Sequence, residues 1–277
     1  MKRILVGSDL SERATNPLGR AIRLAASTGA SLSIIHATCE SEDDERCPAV
    51  HHRILTEAQI RAEELTDVPL DLNVRISGDS PARAIIEEAD RLDADLIVLG
   101  GHGAPRFRDA LFGTTGTHVV RHACRPVLIV QNDHSAPYAR VVIAMAEVAT
   151  TPIVEAALQL APAAELHGVH ALRTTLAETL AGSEALDRLE SQQQHQLQAT
   201  IVTAGRRVGR EISEPHATVR SGEALSILME ETEKLEPDLL VMGTRRRATY
   251  LGSHAVDTLF WCPHDILVVP EPAGESM

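Results

Sequence analysis

The sequence has few aromatic residues and too little positive charge to balance its acidic residues. Phe, Tyr and Trp together make up 2% of the 277 residues, and 39 acidic residues outnumber 26 basic ones, which gives a formal net charge of −13. Proteins that bind single-stranded nucleic acid use aromatic stacking and a basic groove. Anionic membrane surfaces also attract basic proteins. The composition therefore argues against nucleic acids and membranes as partners.

Long hydrophobic runs and a disulfide framework are lacking too. No stretch of about 18 apolar residues occurs, and the first residues, MKRILVGSDLSERA, have no signal-peptide core. Four cysteines among 277 residues do not make a disulfide scaffold. These features predict a cytoplasmic protein with reduced thiols. Hydrophobic residues, at 44%, can still fill a core made of Leu, Ile, Val and Ala.

The same series of segments occurs twice along the chain. The matching pairs are residues 3–8 with 140–145, 30–37 with 164–171, 77–79 with 221–223, 95–100 with 238–243, and 126–130 with 265–269. Five matches in one order, at nearly one offset, predict a duplicated domain rather than a solenoid of short repeats. We predict domains at residues 1–131 and 139–271, joined by a polar linker at 132–138 that contains a proline.

Within each half, apolar runs alternate with helical patterns in the order β-α-β-α-β-α-β-α-β. Helices are predicted in the first half at residues 16–27, 52–66, 81–92 and 113–123. Ser80 followed by Pro81 is typical of a helix N-cap and first turn. Nearly continuous Val, Ile and Leu in the strands favour a parallel sheet that is covered on both faces. We therefore predict an α/β fold with two tandem, doubly wound, five-stranded parallel-sheet domains.

Ligands of open parallel sheets bind beyond the carboxyl ends of the strands, so residues that follow strands are the candidates. Asp9 follows the first strand, and the fourth strand leads into a glycine-rich loop. The loop residues of interest are Gly100, Gly103, Gly113, Thr114 and Thr115. Glycines let backbone N–H groups approach an anion, and a helix N-terminus favours phosphate. The pattern fits a nucleotide; the alternative is that these glycines only form a tight turn and allow close helix packing.

The spacing Gly-x2-Gly-x9-Gly-Thr after a strand, with Asp9 after the first strand and His36-Ala37 ending the second, resembles the universal stress protein family. The segment GTTGTHVVRHACRPVLIV also fits the family's C-terminal helix and strand. Both halves resemble the family, so the chain is similar to its tandem type. The resemblance implies a Rossmann-like strand order of 3-2-1-4-5 in each half.

The resemblance further implies that the first half binds ATP or a related nucleotide, ADP or AMP, with or without Mg²⁺. Asp9 would lie near the adenine or ribose, and the backbone of Ala37 near the base. The ribose and phosphates would contact Gly100, Gly103, Gly113, Thr114 and Thr115. His102, inside the loop, would point either to phosphate or to solvent. Gly116 stands where the family often has a hydroxyl residue, which would remove one phosphate contact.

The second half departs from this pattern. Arg246 stands at the position of Gly103, Ala146 stands at that of Asp9, and five residues instead of nine precede the next glycine. Arginine does not adopt the conformations open to glycine without cost, and its side chain would crowd a phosphate. We predict a degenerate nucleotide site there. The run 245–247 either binds another anion or forms a solvated loop.

Other residues with reactive side chains do not form a recognisable site. Cys39, Cys47, His51 and His52 are zinc-ligand types, but their spacing fits no zinc motif. We therefore predict no metal site and no catalytic residues.

The favoured interpretation is a stress-response regulator in which nucleotide binding orders residues 100–116 and changes a surface for an unknown protein partner. One alternative is a slow ATP hydrolase that uses the same pocket, although Asp9 is the one clear acidic group there. Another is a scaffold whose second half binds a non-nucleotide small molecule. The chain is not expected to be an enzyme beyond weak ATPase activity.

The last strand of each half is an apolar run, at residues 127–130 and 266–269. Exposed apolar edge strands invite pairing, and a short linker raises the effective concentration of one edge near the other. We expect the two halves to pair within one chain as a pseudo-dimer. A further homodimer of chains stays open.

Overall fold

The chain divides into two compact units, Met1–Ser135 (unit 1) and Ala136–Met277 (unit 2). A computed structural model describes residues 1–11, 14–38, 47–101, 114–132, 136–147, 150–172, 183–245 and 262–271. In those ranges no helix is long and apolar enough to cross a membrane. The finer domain boundaries, with a linker at 132–138, stay a prediction.

Unit 1 alternates strands with helices. Its strands are β1 (Arg3–Gly7), β2 (Ser31–Ala37), β3 (Leu72–Ser77), β4 (Leu96–Gly100) and β5 (Val127–Val130). Its helices are α1 (Thr15–Thr28), α2 (Cys47–Leu65), α3 (Pro81–Arg91) and α4 (Thr114–His122). All four predicted helices are present. Helix α2 begins at Cys47 rather than at residue 52, because Pro48 suits the first turn of a helix.

The sheet of unit 1 is parallel throughout and has the order β3-β2-β1-β4-β5. Ile4 of β1 lies opposite Leu32 of β2 on one side and Leu96 of β4 on the other, so β1 is central. Leu5 and Val6 are fully buried neighbours on opposite faces of β1. The strand pairings confirm the predicted order, and burial of both faces agrees with the predicted doubly wound fold.

Unit 2 repeats the arrangement. Its strands are β6 (Arg140–Ala144), β7 (Glu165–Leu172), β8 (His216–Ser221), β9 (Leu239–Arg245) and β10 (Asp265–Glu271). Its described helices are α5 (Thr151–Leu160), α6 (Ser183–Arg207) and α7 (Ala224–Leu235). The strands are parallel in the order β8-β7-β6-β9-β10, which matches unit 1 strand for strand. The fourth helix predicted for this half lies outside the described residues.

Two helix termini have local features that favour the end or the start of a helix. Helix α1 buries Leu18, Ala21 and Ile22 and ends at Gly29, whose φ of 69° is left-handed and suits glycine. Ser80 precedes α3 as predicted, but its hydroxyl makes no capping hydrogen bond. The Ser80 carbonyl instead accepts the Ala84 N–H at 3.0 Å, and Pro81 has the φ that the first turn needs.

Candidate functional site

A cavity of about 200 Å³ opens at the carboxyl ends of β1 and β4. In a doubly wound sheet this is the switch point, because the chain moves outward from β1 in one direction through β2 and in the other through β4. Four residues predicted for the site line the cavity together: Asp9, Ala37, Gly100 and Thr115. They come from four separate segments of unit 1, and the sheet topology brings them to one edge.

Part of the predicted site is not described. His102, Gly103 and Gly113 lie outside the described residues, and their roles stay predictions. Thr114 is the first residue of α4, directly before Thr115 in the cavity wall. The N-terminus of α4 is therefore beside the cavity, and the N–H groups of a first helical turn, which have no partner within the helix, favour an anion.

Asp9 also organises the turn that carries it. Its Oδ1 accepts hydrogen bonds from the Ser11 backbone N–H at 3.0 Å and from the Ser11 hydroxyl at 2.6 Å. Between them, Leu10 has a φ of 61°, a left-handed conformation that costs a leucine roughly 1–2 kcal/mol. The carboxylate thus stabilises a strained turn, a role that the sequence pattern did not indicate.

This turn is joined to the neighbouring strand by two further hydrogen bonds. The Ser8 N–H donates to the Ile35 carbonyl at 3.0 Å. The His36 Nδ1 lies 2.9 Å from the Ser8 carbonyl oxygen. Ser8 and Ser11 both line the cavity, although the sequence reasoning did not select either hydroxyl.

Among the described glycines near the cavity, those with close neighbours at the Cβ position are not Gly100, which the sequence analysis chose, but Gly101 and Gly7. A Cβ on Gly100 would meet Pro17 Cγ at 3.5 Å, an ordinary contact. A Cβ on Gly101 would instead overlap the Gln131 side chain, and one on Gly7 would lie 2.9 Å from Leu99 Cδ2. Both Gly100 and Gly101 line the cavity; a Cβ fits at Gly100, whereas at Gly101 the end of the Gln131 side chain would have to move.

Apolar side chains form much of the cavity wall. Pro17, Ile35, Ile85 and Leu99 lie around it, together with the polar groups already named. Small-molecule sites commonly combine apolar walls with a few placed polar groups. Sequence reasoning missed these wall residues because a strand or helix residue that faces a cavity has the same pattern as one that faces the core.

The corresponding end of β6 in unit 2 keeps the backbone arrangement and loses the polar groups. The Met145 N–H donates to the Val169 carbonyl at 2.9 Å, and His170 Nδ1 lies 2.8 Å from the Met145 carbonyl oxygen. Ala146 follows in place of Asp9, without a carboxylate. Arg246 and Arg247, which the sequence reasoning singled out, lie outside the described residues.

Three of the four residues considered for metal binding, Cys47, His51 and His52, belong to α2, and Cys39 lies outside the described residues. His51 Nε2 lies 3.2 Å from the Val74 carbonyl oxygen. Among the described residues no group of three His, Cys, Asp or Glu side chains could hold a metal ion. Burial raises the pKa of the Cys262 thiol to about 11, which keeps it protonated and makes it a poor nucleophile.

The comparison with known proteins agrees with the fold and the duplication. The model of the universal stress protein family matches residues 1–131 and again residues 137–270. The chain belongs to this family. Its two family domains follow one another in the tandem arrangement that the sequence predicted.

Curated relatives match one domain at a time. A universal stress protein of Thermus aquaticus is 33% identical over 136 residues, which is 47% of this chain and 98% of the relative. A universal stress protein A homolog of Haemophilus influenzae is 32% identical over 109 residues, 36% of this chain and 77% of the relative. Each relative therefore corresponds to roughly one unit of this chain.

A solved structure matches the chain over both units. The crystal structure of a universal stress protein from Archaeoglobus fulgidus covers 98% of this chain and 98% of its own, with a TM-score of 0.71 and 18% sequence identity. At that identity the likeness concerns the fold alone. It supports the tandem α/β architecture and carries no information about a ligand.

Proposed function

We propose that unit 1 binds an adenine nucleotide, ATP or its relatives ADP and AMP, and acts as a ligand-linked regulator. The observation that carries the proposal is the meeting of Asp9, Ala37, Gly100 and Thr115 around one cavity at the switch point. These residues are far apart in sequence, and each belongs to the pattern that resembles the nucleotide-binding type of the family. Family membership supports the same proposal.

The chemistry of the cavity suits the parts of a nucleotide. The apolar wall at Ile35, beside the backbone of Ala37, can take the flat base. Asp9 can accept hydrogen bonds from ribose hydroxyls, and the N-terminus of α4 at Thr114 and Thr115 favours the phosphates. Gly103, Gly113 and His102 complete the phosphate contacts in this proposal.

Binding rather than hydrolysis is the proposed activity. Asp9 is the one charged side chain among the described residues that line the cavity, and its Oδ1 already accepts two hydrogen bonds from Ser11. A general base for water attack must be a basic side chain, such as an imidazole or a carboxylate, that can reach the water and take its proton. A nucleotide that is bound without rapid hydrolysis can instead stabilise one conformation of the protein. The fraction of protein in that conformation then depends on the nucleotide concentration.

The first experiment is to identify and count the nucleotide. Mass spectrometry of the denatured, purified chain should detect ATP, ADP or AMP, and calorimetric titration of nucleotide-free protein should give one site per chain. Asp9→Ala, which copies Ala146 of unit 2, should weaken binding while Glu147→Ala leaves it unchanged. Two equivalent sites would contradict the assignment to unit 1, and steady conversion of ATP to ADP would favour the hydrolase alternative.

The location of the protein, its partner and the pairing of its two halves stay predictions. A cytoplasmic location, an unknown protein partner and the pairing of residues 127–130 with 266–269 all rest on sequence. Ile129→Lys tests the pairing, since a charge on an apolar edge should separate the halves or precipitate the protein. Unchanged solubility and hydrodynamic radius would argue against it.

A further inference from the structure

One imidazole holds the turn that carries Asp9. His36 is the next-to-last residue of β2, and its Nδ1 lies 2.9 Å from the Ser8 carbonyl oxygen. A carbonyl oxygen only accepts hydrogen bonds, so Nδ1 carries the proton and donates it. The Ser8 N–H is also bonded, to the Ile35 carbonyl. Both backbone polar groups of Ser8 are therefore fixed to β2.

The fixed carbonyl belongs to the peptide that leads into Asp9. Because a peptide unit is planar, holding its oxygen also holds the N–H and Cα of the following residue. The chain then passes through Leu10 at a φ of 61°, which a leucine adopts only when its surroundings enforce it. Asp9 Oδ1 secures the far side of this turn through Ser11, and His36 secures the entry.

Unit 2 repeats the imidazole contact where the acidic turn is gone. His170 Nδ1 lies 2.8 Å from the Met145 carbonyl oxygen, and Ala146 follows where unit 1 has Asp9. The histidine is thus present both with and without the ligand-facing carboxylate. This indicates that the imidazole acts on the backbone of the turn, and it provides a matched control residue within the same chain.

We propose that His36 is a positioning residue of the nucleotide site: its Nδ1–H bond to the Ser8 carbonyl sets where the Asp9 carboxylate stands and thereby sets nucleotide affinity. The inference rests on the proposed function of unit 1. His36 is not among the described residues that line the cavity, whereas Ser8 and Asp9 are. It acts through them and does not itself touch the ligand.

Three substitutions separate the hydrogen bond from the bulk of the ring. His36→Phe keeps a ring and removes the donor, while His36→Asn places an amide N–H at the position of Nδ1. His170→Phe removes the equivalent bond in unit 2. We expect His36→Phe to weaken ATP binding roughly ten-fold, which is the upper range for one lost hydrogen bond. His36→Asn should bind within about two-fold of wild type, and His170→Phe should bind as wild type.

A double-mutant cycle tests whether His36 works through Asp9. In the Asp9→Ala background, His36→Phe should cause no further loss of affinity, because there is no carboxylate left to position. A general structural role would weaken binding to the same extent in both backgrounds. Circular dichroism and thermal unfolding of each variant establish that the compared proteins are folded.

Three results would overturn the proposal: wild-type affinity in His36→Phe, equal losses in His36→Phe and His36→Asn, or additive losses with Asp9→Ala. If wild-type protein binds none of ATP, ADP and AMP, the proposed function fails and affinity no longer tests His36. Nitrogen-15 NMR of the imidazoles then tests the hydrogen bond from His36 to the Ser8 carbonyl without any nucleotide. A neutral His36 protonated at Nδ1 supports it, and one protonated only at Nε2 overturns it.

Discussion

Helix α3 of unit 1 and helix α7 of unit 2 each carry a buried glutamate at the equivalent position. The groups that contact the two carboxylates differ. Glu88 of α3 accepts hydrogen bonds from Arg75 at 2.8 Å and from two nitrogens of Arg91 at 2.7 Å each. Glu231 of α7 accepts one from the Thr218 hydroxyl at 3.3 Å. Its nearest cationic groups, on Arg220 and Lys234, each lie 3.9 Å away, and the imidazole of His167 lies 4.0 Å away. Unit 1 neutralises its buried carboxylate with permanent charges at hydrogen-bonding distance, and unit 2 does not.

The two units also differ where β1 and β6 end. Unit 1 continues into Ser8 and Asp9 and a strained, hydrogen-bonded turn, whereas unit 2 continues into Met145, which is buried, and Ala146, which is exposed. The shared features are the backbone bonds and the anchoring histidine. The differing features are the side chains that would face a ligand. The two units therefore share the backbone contacts of this turn and differ in the side chains that follow the strand.

The largest expected effect comes from copying the divergent loop of unit 2 into unit 1. Gly103→Arg should abolish nucleotide binding, by at least about 100-fold or roughly 2.7 kcal/mol, because the side chain would occupy the phosphate site. The fold should stay intact, since the sequence predicts a loop at this position. Titration with ATP measures the effect, and far-UV circular dichroism checks the fold.

The reverse substitution is the control for that prediction. Arg246→Gly in unit 2 should not create a second site, because Ala146 still lacks the carboxylate of Asp9. Wild-type affinity in Gly103→Arg would show that the phosphates are placed wrongly. A second site in Arg246→Gly would show that the arginine alone had blocked unit 2.

Replacing each buried glutamate by neutral glutamine should lower the free energy of unfolding by different amounts in the two units. Glu88→Gln should lower the free energy of unfolding by about 2–3 kcal/mol, because hydrogen bonds from charged donors are worth about 1.5–3 kcal/mol. Glu231→Gln should cost about 1 kcal/mol or less, since the loss is mainly one long bond from a neutral hydroxyl. Urea unfolding followed by circular dichroism compares them, and equal losses would contradict this account.

Much of the fold could be predicted from sequence because it depends on patterns that persist through each half. Continuous apolar runs such as Ile4–Val6 mark buried parallel strands, and the second copy of the pattern gives an internal check on each element. Helix α2 was placed too late because its first turn lies beside an acidic stretch that hides the start signal at Pro48. Local composition obscured a boundary there without changing the architecture.

The candidate site was only partly accessible to sequence reasoning. Asp9 and Gly100 could be found because they directly follow strands, and topology brings such residues together. The strained turn at Leu10, the close approach of Gly101 to Gln131 and the contact of His36 with Ser8 depend on distances between segments. Those distances are set by packing between segments, which a linear pattern does not contain.

A smaller effect is expected from exchanging the small residue at the end of β1. Gly7 aligns with Ala144 of β6, yet a Cβ at Gly7 would lie 2.9 Å from Leu99 Cδ2 and 3.2 Å from Ile85 Cδ1. Overpacking costs about 1–3 kcal/mol and removing a strand glycine regains about 0.5–1. Gly7→Ala should therefore destabilise the protein by about 1 kcal/mol in urea unfolding.

The alignment of unit 1 with unit 2 also suggests a second substitution that should offset the destabilisation by Gly7→Ala. Leu99 corresponds to Met242 in unit 2, and the unbranched, flexible side chain of methionine can move away from an added methyl group. The double variant Gly7→Ala with Leu99→Met should regain most of the lost stability. If the double variant is no more stable than Gly7→Ala, the contact with Leu99 is not the source of the cost.

The surroundings of Glu231 also contain a histidine that unit 1 lacks. His167 of β7 lies with Nε2 2.8 Å from the Thr218 hydroxyl and 4.0 Å from Glu231 Oε2. Its ring stacks parallel to that of His216, with centroids 6.1 Å apart, and Lys234 and Glu165 complete the charged neighbours. Ser33, in the equivalent register of β2, carries no titratable group.

Burial lowers the pKa of His167 from 6.5, and Glu231 only partly opposes this shift. The unfolded chain therefore binds more protons than the folded one between the lowered pKa and about 6.5. The stability that His167 contributes as a neutral group is fully present above pH 6.5 and is lost as the pH falls through the folded-state pKa. Urea midpoints at pH 7.5, 6.5 and 5.5 should fall more steeply for wild type than for His167→Gln, which cannot titrate. Ser33→Ala in unit 1 should keep the wild-type slope, and an equal slope in His167→Gln would assign the acid sensitivity to another group.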